Sequence, residues 1–361
     1  MAASAARDYS LIGPDGRLAV ESGLAGAEWY VCPIPRKRLK ELMKRKDGPA
    51  IRDTLLWFAS LAAFGLGGYL FWGTWWCVPF FAVYGVLYGS ASDSRWHECG
   101  HGTAFKTRWL NQAVYHIACF MVLREPTPWR WSHTRHHSDT IIVGRDPEIA
   151  VPRPPGFFGI LLNVFALRSG AKEAGRVLLH SVGRMTAVER EYIPESEFPN
   201  VFRTARIWVA VWATVVGASI AWGTILPLMY IGLPSFYGGW MYLMFGLTQH
   251  AGLAEDVLDH RLNSRTVLMN PVFRFIYWNM NYHVEHHMFP MVPYYALREL
   301  HEEMKPFCPT PYRGTIAAYA EIIPALLRQR RDPAYYVVRK LPDGARSVED
   351  APSAPGALAA A

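Results

Sequence analysis

Two long stretches without charge constrain this chain more than any other feature. Residues 54–92 (39 of them) and 207–254 (48) contain no Asp, Glu, Lys or Arg. A bilayer core of about 30 Å takes roughly 20 helical residues to cross, so each run is long enough for two crossings and a turn. In the first run "YLFWGTWW" offers Gly73 and Thr74 as the turn. Trp72, Trp75 and Trp76 then fall at the far interface, where amphipathic rings are favoured. In the second run the turn falls near Gly223 to Pro227 or near Gly232 to Pro234, and "GLTQHAGLA" emerges from the bilayer carrying His250. Two such runs inside one soluble globule would be far outside ordinary composition. The expected fold is therefore all-α and integral to the membrane, with four transmembrane helices in two hairpins and a cytoplasmic helical cap.

Charge sets the orientation. All 37 Lys and Arg lie outside the two runs, on the side that also holds both termini and the central loop. Basic residues are retained on the cytoplasmic face, which places these parts in the cytoplasm and the chain in the cell's inner membrane. The net charge of +7 follows from that topology and calls for no nucleic acid. Residues 1–50 read as a cytoplasmic N-terminal segment, 51–305 as the membrane domain, and 306–361 as a cytoplasmic C-terminal segment whose "APSAPGALAAA" end is expected to be disordered. The basic stretch "RKRLKELMKRK" sets Leu39, Leu42 and Met43 on one face, which suits either a helix lying on anionic headgroups or a solvated one. Residues 1–31 lack the basic, apolar, small-residue succession of a signal peptide. The five cysteines are scattered, with no C-x-x-C, and suggest no disulfide framework, zinc ribbon or iron–sulfur cluster.

Eight of the 13 histidines fall in three clusters: "HECGH" (His97, His101), "HTRHH" (His133, His136, His137) and "HVEHH" (His283, His286, His287). Spacings of three and four put side chains on one helix face, so each cluster can present its rings together. The first cluster begins just past the predicted exit of the second crossing, and His250 lies just past that of the fourth. All nine imidazoles are thus expected on one side of the membrane at similar depth. "HECGH" also matches H-E-x-x-H, the zinc-protease signature in which a glutamate, here Glu98, activates water. A zinc protease needs three protein ligands and an open position. Nine imidazoles suit two metals better than one. Imidazole accepts zinc, copper, iron or nickel; two adjacent ions suit dioxygen chemistry if they can change oxidation state, which points to iron.

The succession "HECGH … HTRHH … QHAGL … NYHVEHH" resembles the three histidine boxes of the integral-membrane fatty acid desaturase and hydroxylase superfamily, over about residues 50–305. The stretch around "HSDTIIVGRDPEI" is also similar to a bacterial branch that includes an oxygenase of rhizopine catabolism. The resemblance implies a non-haem di-iron centre held by His97, His101, His133, His136, His137, His283, His286 and His287, with His250 as the additional ligand. It implies dioxygen- and electron-dependent oxidation of unactivated C–H bonds, most simply as an acyl-lipid desaturase. Hydroxylation or demethylation of a hydrocarbon or small molecule uses the same ligands. Relatives often carry an asparagine one turn before the additional histidine; Gly246 stands there, and Asn279 and Asn281 are substitutes only by proximity. The chain has no cluster-binding cysteine set and no G-x-G-x-x-G after a strand, so a separate ferredoxin or small haem protein with its reductase is implied as electron donor.

Metal-bound histidines commonly donate their other N–H to a carboxylate, which makes Glu98, Glu285, Asp139 and Asp146 candidates to orient the rings. His116, His180, His260 and His301 lie outside the pattern and are read as non-ligands. Cys99 is read as packing, and Gly100 and Gly102 as permitting close helix approach.

Overall fold

A computed structural model describes residues 7–343; the terminal "APSAPGALAAA" lies outside them. The described residues form helices joined by loops, with only isolated bridges, such as Thr266 with Tyr282, in place of strands. Helix α1 (Asp47–Leu70) turns at Phe71 to Trp76 into α2 (Cys77–Gly85), which runs through a π-helical turn, Val86–Ser90, into α3 (Ala91–Gly100). Next come α4 (Arg108–Met121), α5 (Pro126–Ser138), α6 (Phe157–Asn163) and α7 (Leu167–Ser181). The second apolar run gives α8 (Phe198–Ala221), two short helices, Leu226–Tyr230 and Pro234–Tyr237, and α9 (Trp240–His250). The third histidine cluster forms α10 (His283–Met288).

Two helices are long and apolar enough to cross a membrane, those containing α1 and α8. At 24 residues each, α1 and α8 rise about 36 Å at 1.5 Å per residue. Their partners differ from the expected rods. The second segment is continuous, but its α3 half buries Ser92, Asp93, Ser94 and Arg95. The fourth is broken at Gly232 (φ +100°) and again before α9. The break has a steric cause: a Cβ at Gly238 would lie 1.8 Å from the Gly85 carbonyl oxygen, so two backbones touch there. Ser90 Oγ donates to the Gly238 carbonyl at 2.5 Å, and Tyr242 N donates to Ser90 Oγ at 2.8 Å, which locks α9 against the π turn. π turns open one carbonyl of the helical ladder; here Trp57 Nε1 donates to Leu87 O at 2.8 Å and ties α1 to the turn.

Arg95 is fully buried, its two terminal nitrogens bonded and its Nε without a partner. It donates to the carbonyls of Ala91 (2.6 Å) and Ile276 (3.0 Å) and lies over the rings of Trp57 and Trp278. It fastens α3 to the chain leading into α10. The basic helix Arg36–Leu42 meets neither sequence expectation: Leu42 is buried, Leu39 and Met43 pack on the core, and Arg38 pairs with Glu299 and Glu303. Its apolar face is spent on the protein itself. The C-terminal helix Thr315–Gln329 packs beside α9 through Tyr319, whose hydroxyl donates to Met244 O at 2.7 Å.

On the side of the histidine clusters, α7 carries the buried His180 between Glu125 and Glu189. Burial works against its charge, but the two carboxylates raise its pKa to about 9. A histidine raised in the fold contributes stability that is complete below its unfolded value near 6.5 and lost as pH climbs through about 9. Detergent-solubilised protein should therefore melt at falling temperature between those values, and His180→Gln should flatten that slope; an unchanged slope would contradict the pairing. Separately, Gly238→Ala should destabilise by about 1–3 kcal/mol or more through overpacking, read as a lowered melting temperature, whereas Gly217→Ala, whose added methyl meets nothing within 4 Å, should not.

Candidate metal centre

The spacing rule that groups the histidines also divides them. Residues four apart share a helix face, while neighbours point about 100° apart. In α5, His133 and His137 turn one way and His136 another; in α10, His283 and His287 turn one way and His286 another. The structure brings all nine rings together in two groups: His97, His101, His133, His137 and His286; and His136, His250, His283 and His287. Within each group the ligand atoms lie within 4.8 Å of one another. The second and third clusters therefore each serve both groups, the first cluster serves one, and the stacked rings of His137 and His287, 4.4 Å apart, mark where the groups meet.

It is the Nε2 atoms that converge. His97 and His286 approach to 2.7 Å, His101 and His133 to 3.1 Å, and His137 and His133 to 3.1 Å. In the other group His283 lies 3.0 Å from both His250 and His287. Nitrogens bound at about 2.0–2.1 Å to one ion and at right angles to each other are about 3.0 Å apart. The spacing thus matches edges of a coordination polyhedron. No set of imidazole tautomers satisfies so many mutually facing nitrogens by hydrogen bonding alone, because each ring offers one N–H at most when neutral.

Protonation and tautomer favour ligation. Burial, and then the neighbouring imidazoles, hold His137, His283, His286 and His287 well below the ordinary histidine range, so these rings stay neutral. Outward partners fix several tautomers: His136 Nδ1 meets Asp146 Oδ2 at 2.8 Å, His133 Nδ1 meets Glu148 Oε2 at 3.1 Å, and His250 Nδ1 donates to Asn263 O at 2.7 Å. His287 Nδ1 lies 3.2 Å from Thr140 Oγ1. With Nδ1 carrying the proton, each Nε2 lone pair faces inward. Burial opposes a charge on Glu148, but His133, His136 and Arg124 bring its pKa down to about 2, so it remains an acceptor.

Of the four carboxylates expected to orient the rings, only Asp146 touches one. Glu98 accepts from Thr103 Oγ1 (2.6 Å) and Tyr294 N (3.1 Å) and bonds no imidazole of the two groups. Glu285 accepts from Thr266 and pairs with His301, and Asp139 pairs with Arg145. Asn281 Nδ2 donates to Val267 O and Asn279 Nδ2 to Tyr294 O, away from the rings. Glu148 was not singled out by sequence reasoning; its only signal is its place two residues after Asp146 in "GRDPEI". His116, His180, His260 and His301 stay outside both groups; His260 stacks on Trp29 instead, 4.3 Å between centroids.

A cavity of about 310 Å³ reaches both groups, lined by His97, His133, His136, His250 and His283, with Gly246 beside His250. Its wall holds Arg124, paired with Asp93 at 2.9 Å, bonded to the Tyr242 hydroxyl and stacked on Trp96 and Trp129. The donor set, neutral nitrogens only, fits two imidazole-loving ions such as iron.

Asp146→Asn and Glu148→Gln should each weaken metal binding about 10–100-fold by loosening a ligand ring, measured by chelator competition. Unchanged affinity in both would contradict their orienting role.

Comparison with known proteins places these features in context. The fatty acid desaturase family model matches residues 73–319. A probable fatty acid desaturase of Sorghum bicolor is 26% identical over 278 residues, 70% of this chain and 68% of its own. The chloroplastic sn-2 acyl-lipid omega-3 desaturase (ferredoxin) of Arabidopsis thaliana is 26% identical over 296 residues, 73% of this chain and 62% of its own. The endoplasmic reticulum omega-3 fatty acid desaturase of Nicotiana tabacum is 24% identical over 295 residues, 73% of each chain. The chain spans about two thirds of the length of the first two relatives.

Proposed function

The chain belongs to the fatty acid desaturase family, and from that premise we propose that it is a membrane-bound di-iron oxidoreductase that removes hydrogen from unactivated C–H bonds of an acyl lipid. The observation that carries this reading is the convergence of nine imidazoles in two groups at a spacing that suits coordination. His97, His101, His133, His137 and His286 would hold one iron, and His136, His250, His283 and His287 the other. Bound there, the pair would supply the two-electron activation of dioxygen that such a C–H bond requires.

The chain's own part is binding, aiming and exclusion of water. Asp146, Glu148, Thr140 and the Asn263 carbonyl hold rings in the ligating tautomer. Burial of the rings keeps bulk water from the oxidant, so that oxidising power is spent on substrate. The cavity brings substrate against His97, His136 and His283, at the junction of the two groups.

The reading places four membrane crossings in two hairpins, α1 with the α2–α3 segment and α8 with the broken segment ending in α9. The metal centre and both ends of the chain then face the cytoplasm. Electrons come from a separate carrier; the name of the Arabidopsis relative specifies ferredoxin, and the excess of Lys and Arg outside the apolar runs suits an acidic partner.

Membranes carrying the chain, supplied with ferredoxin, its reductase and NADPH, should introduce a double bond into acyl lipids in a dioxygen-dependent manner, read by mass spectrometry. His136→Ala and His286→Ala should each lower turnover at least about 100-fold while leaving the protein in the membrane. Full turnover by either variant, or lipids unchanged by the wild-type chain, would contradict the proposal.

A further inference from the structure

Between Arg153 and Arg168 lie 14 residues, 154–167, without Asp, Glu, Lys or Arg. A run of that length is too short to span a bilayer and characteristic of a re-entrant or interfacial segment. It forms α6 and a sharp turn into α7 at Ala166, which sits at φ +50°. The faces of α6 are used in opposite ways. Phe158 (74% exposed), Leu161 (66%) and Phe165 (50%) point out of the protein. Ile160, Asn163 and Ala166 face inward and line the cavity that reaches the histidines. A soluble surface rarely shows so many large apolar side chains side by side.

The tip of this segment is placed deep by what it touches. A Cβ at Gly239 would lie 3.3 Å from Ala166 Cβ, and one at Gly170 would lie 2.7 Å from the Phe236 ring. Gly239 precedes His250 by 11 residues along α9, about 16 Å at helical rise. The turn thus lies about half a bilayer thickness further along that crossing than the ring at its cytoplasmic end. Beyond it α7 packs along α8 and ends where Arg206 Nε donates to Ser181 O, near the basic start of α8. α6 thus packs on α7 and α7 on α8, where Ile207, Val216 and Ile220 are exposed like the outer side chains of α6. Arg168, the first charge after the run, folds back so that its guanidinium would meet a Cβ at Gly159, as a side chain does when it snorkels toward the headgroups.

We propose that residues 154–167 dip into the cytoplasmic leaflet, that lipid acyl chains cover Phe158, Leu161 and Phe165, and that the inner face of α6 forms the wall of a lateral doorway from the bilayer to the metal centre. Buried backbone at that depth is permitted because the inward side is covered by protein. The doorway, though not the lipid contact, rests on the site being an oxidase of acyl lipids.

The test uses the full chain with Cys77→Ser, since the other described cysteines are buried. Nitroxides at Phe158→Cys, Leu56→Cys on α1 and Val338→Cys are compared in phosphatidylcholine–phosphatidylglycerol vesicles by power saturation with dioxygen and with a nickel chelate. Phe158 should behave as Leu56 does, favouring dioxygen, and Val338 should favour the chelate. Chelate access at Phe158 with a lipid-like Leu56 would overturn the inference and leave the membrane reading standing; chelate access at both would overturn both. For the doorway, Ile160→Phe and Ile160→Trp should lower turnover of vesicle-dissolved lipid progressively, reaching at least about tenfold, with iron content unchanged. Wild-type turnover in an iron-replete Ile160→Trp protein would rule the doorway out. Loss in the tryptophan variant with full turnover in the phenylalanine variant would do the same, since the narrowing is then not graded.

Discussion

Nine imidazoles gathered in two groups, with ligand atoms within 4.8 Å of one another and several pairs about 3 Å apart, repel one another unless cations sit among them, and the rest of the molecule is arranged to hold them there. Their lone pairs face inward because several opposite ring nitrogens are engaged outward, by Asp146, Glu148, Thr140 and the Asn263 carbonyl. The neutrality of His137, His283, His286 and His287 follows from burial, which removes water from the charged form. The fold thus holds together a crowd of lone pairs that bound cations would relieve.

Four separate pieces of chain must be fixed for this to work, and each is fixed by a different device. α3 is set by the π turn behind it and by Arg95, whose guanidinium reaches carbonyls ahead of α10. α9 is set by glycine contact with α2 and by the Ser90 hydroxyl. α5 begins at Pro126, whose carbonyl accepts from Tyr115 of α4 at 2.6 Å. α10 follows a turn at Trp278 and Asn279, both at positive φ, which aims its first histidine at His250. The apolar helices supply rigid posts, the ends of the second and fourth segments carry His97, His101 and His250, and α5 and α10 carry the other six rings.

Much of the site was legible because helical periodicity is local. The spacings within "HECGH", "HTRHH" and "HVEHH" decide which rings turn together, and their positions relative to the charge-free runs lead to the expectation that they meet. The orienting carboxylates were less legible for the same reason. Glu98 and Glu285 are neighbours of ligands in sequence, but residues one or two apart on a helix face different ways, and both side chains serve other partners. Glu148 reaches His133 from a loop 15 residues on, a contact no periodicity encodes. The second run offers turns near Gly223 to Pro227 or near Gly232 to Pro234, and the chain is interrupted at both; the further interruption before α9, where Gly238 meets Gly85, is not among them. The basic helix near the N-terminus had two readings from its pattern and took neither, because docking on Glu299 and Glu303 is a tertiary event.

The most direct test is the metal content and X-ray absorption spectrum of protein purified from membranes. The account predicts two irons per chain, each ringed by nitrogen neighbours at about 2.0–2.2 Å with imidazole outer-shell scattering and no sulfur. A single ion, zinc in place of iron, or a sulfur ligand would contradict it.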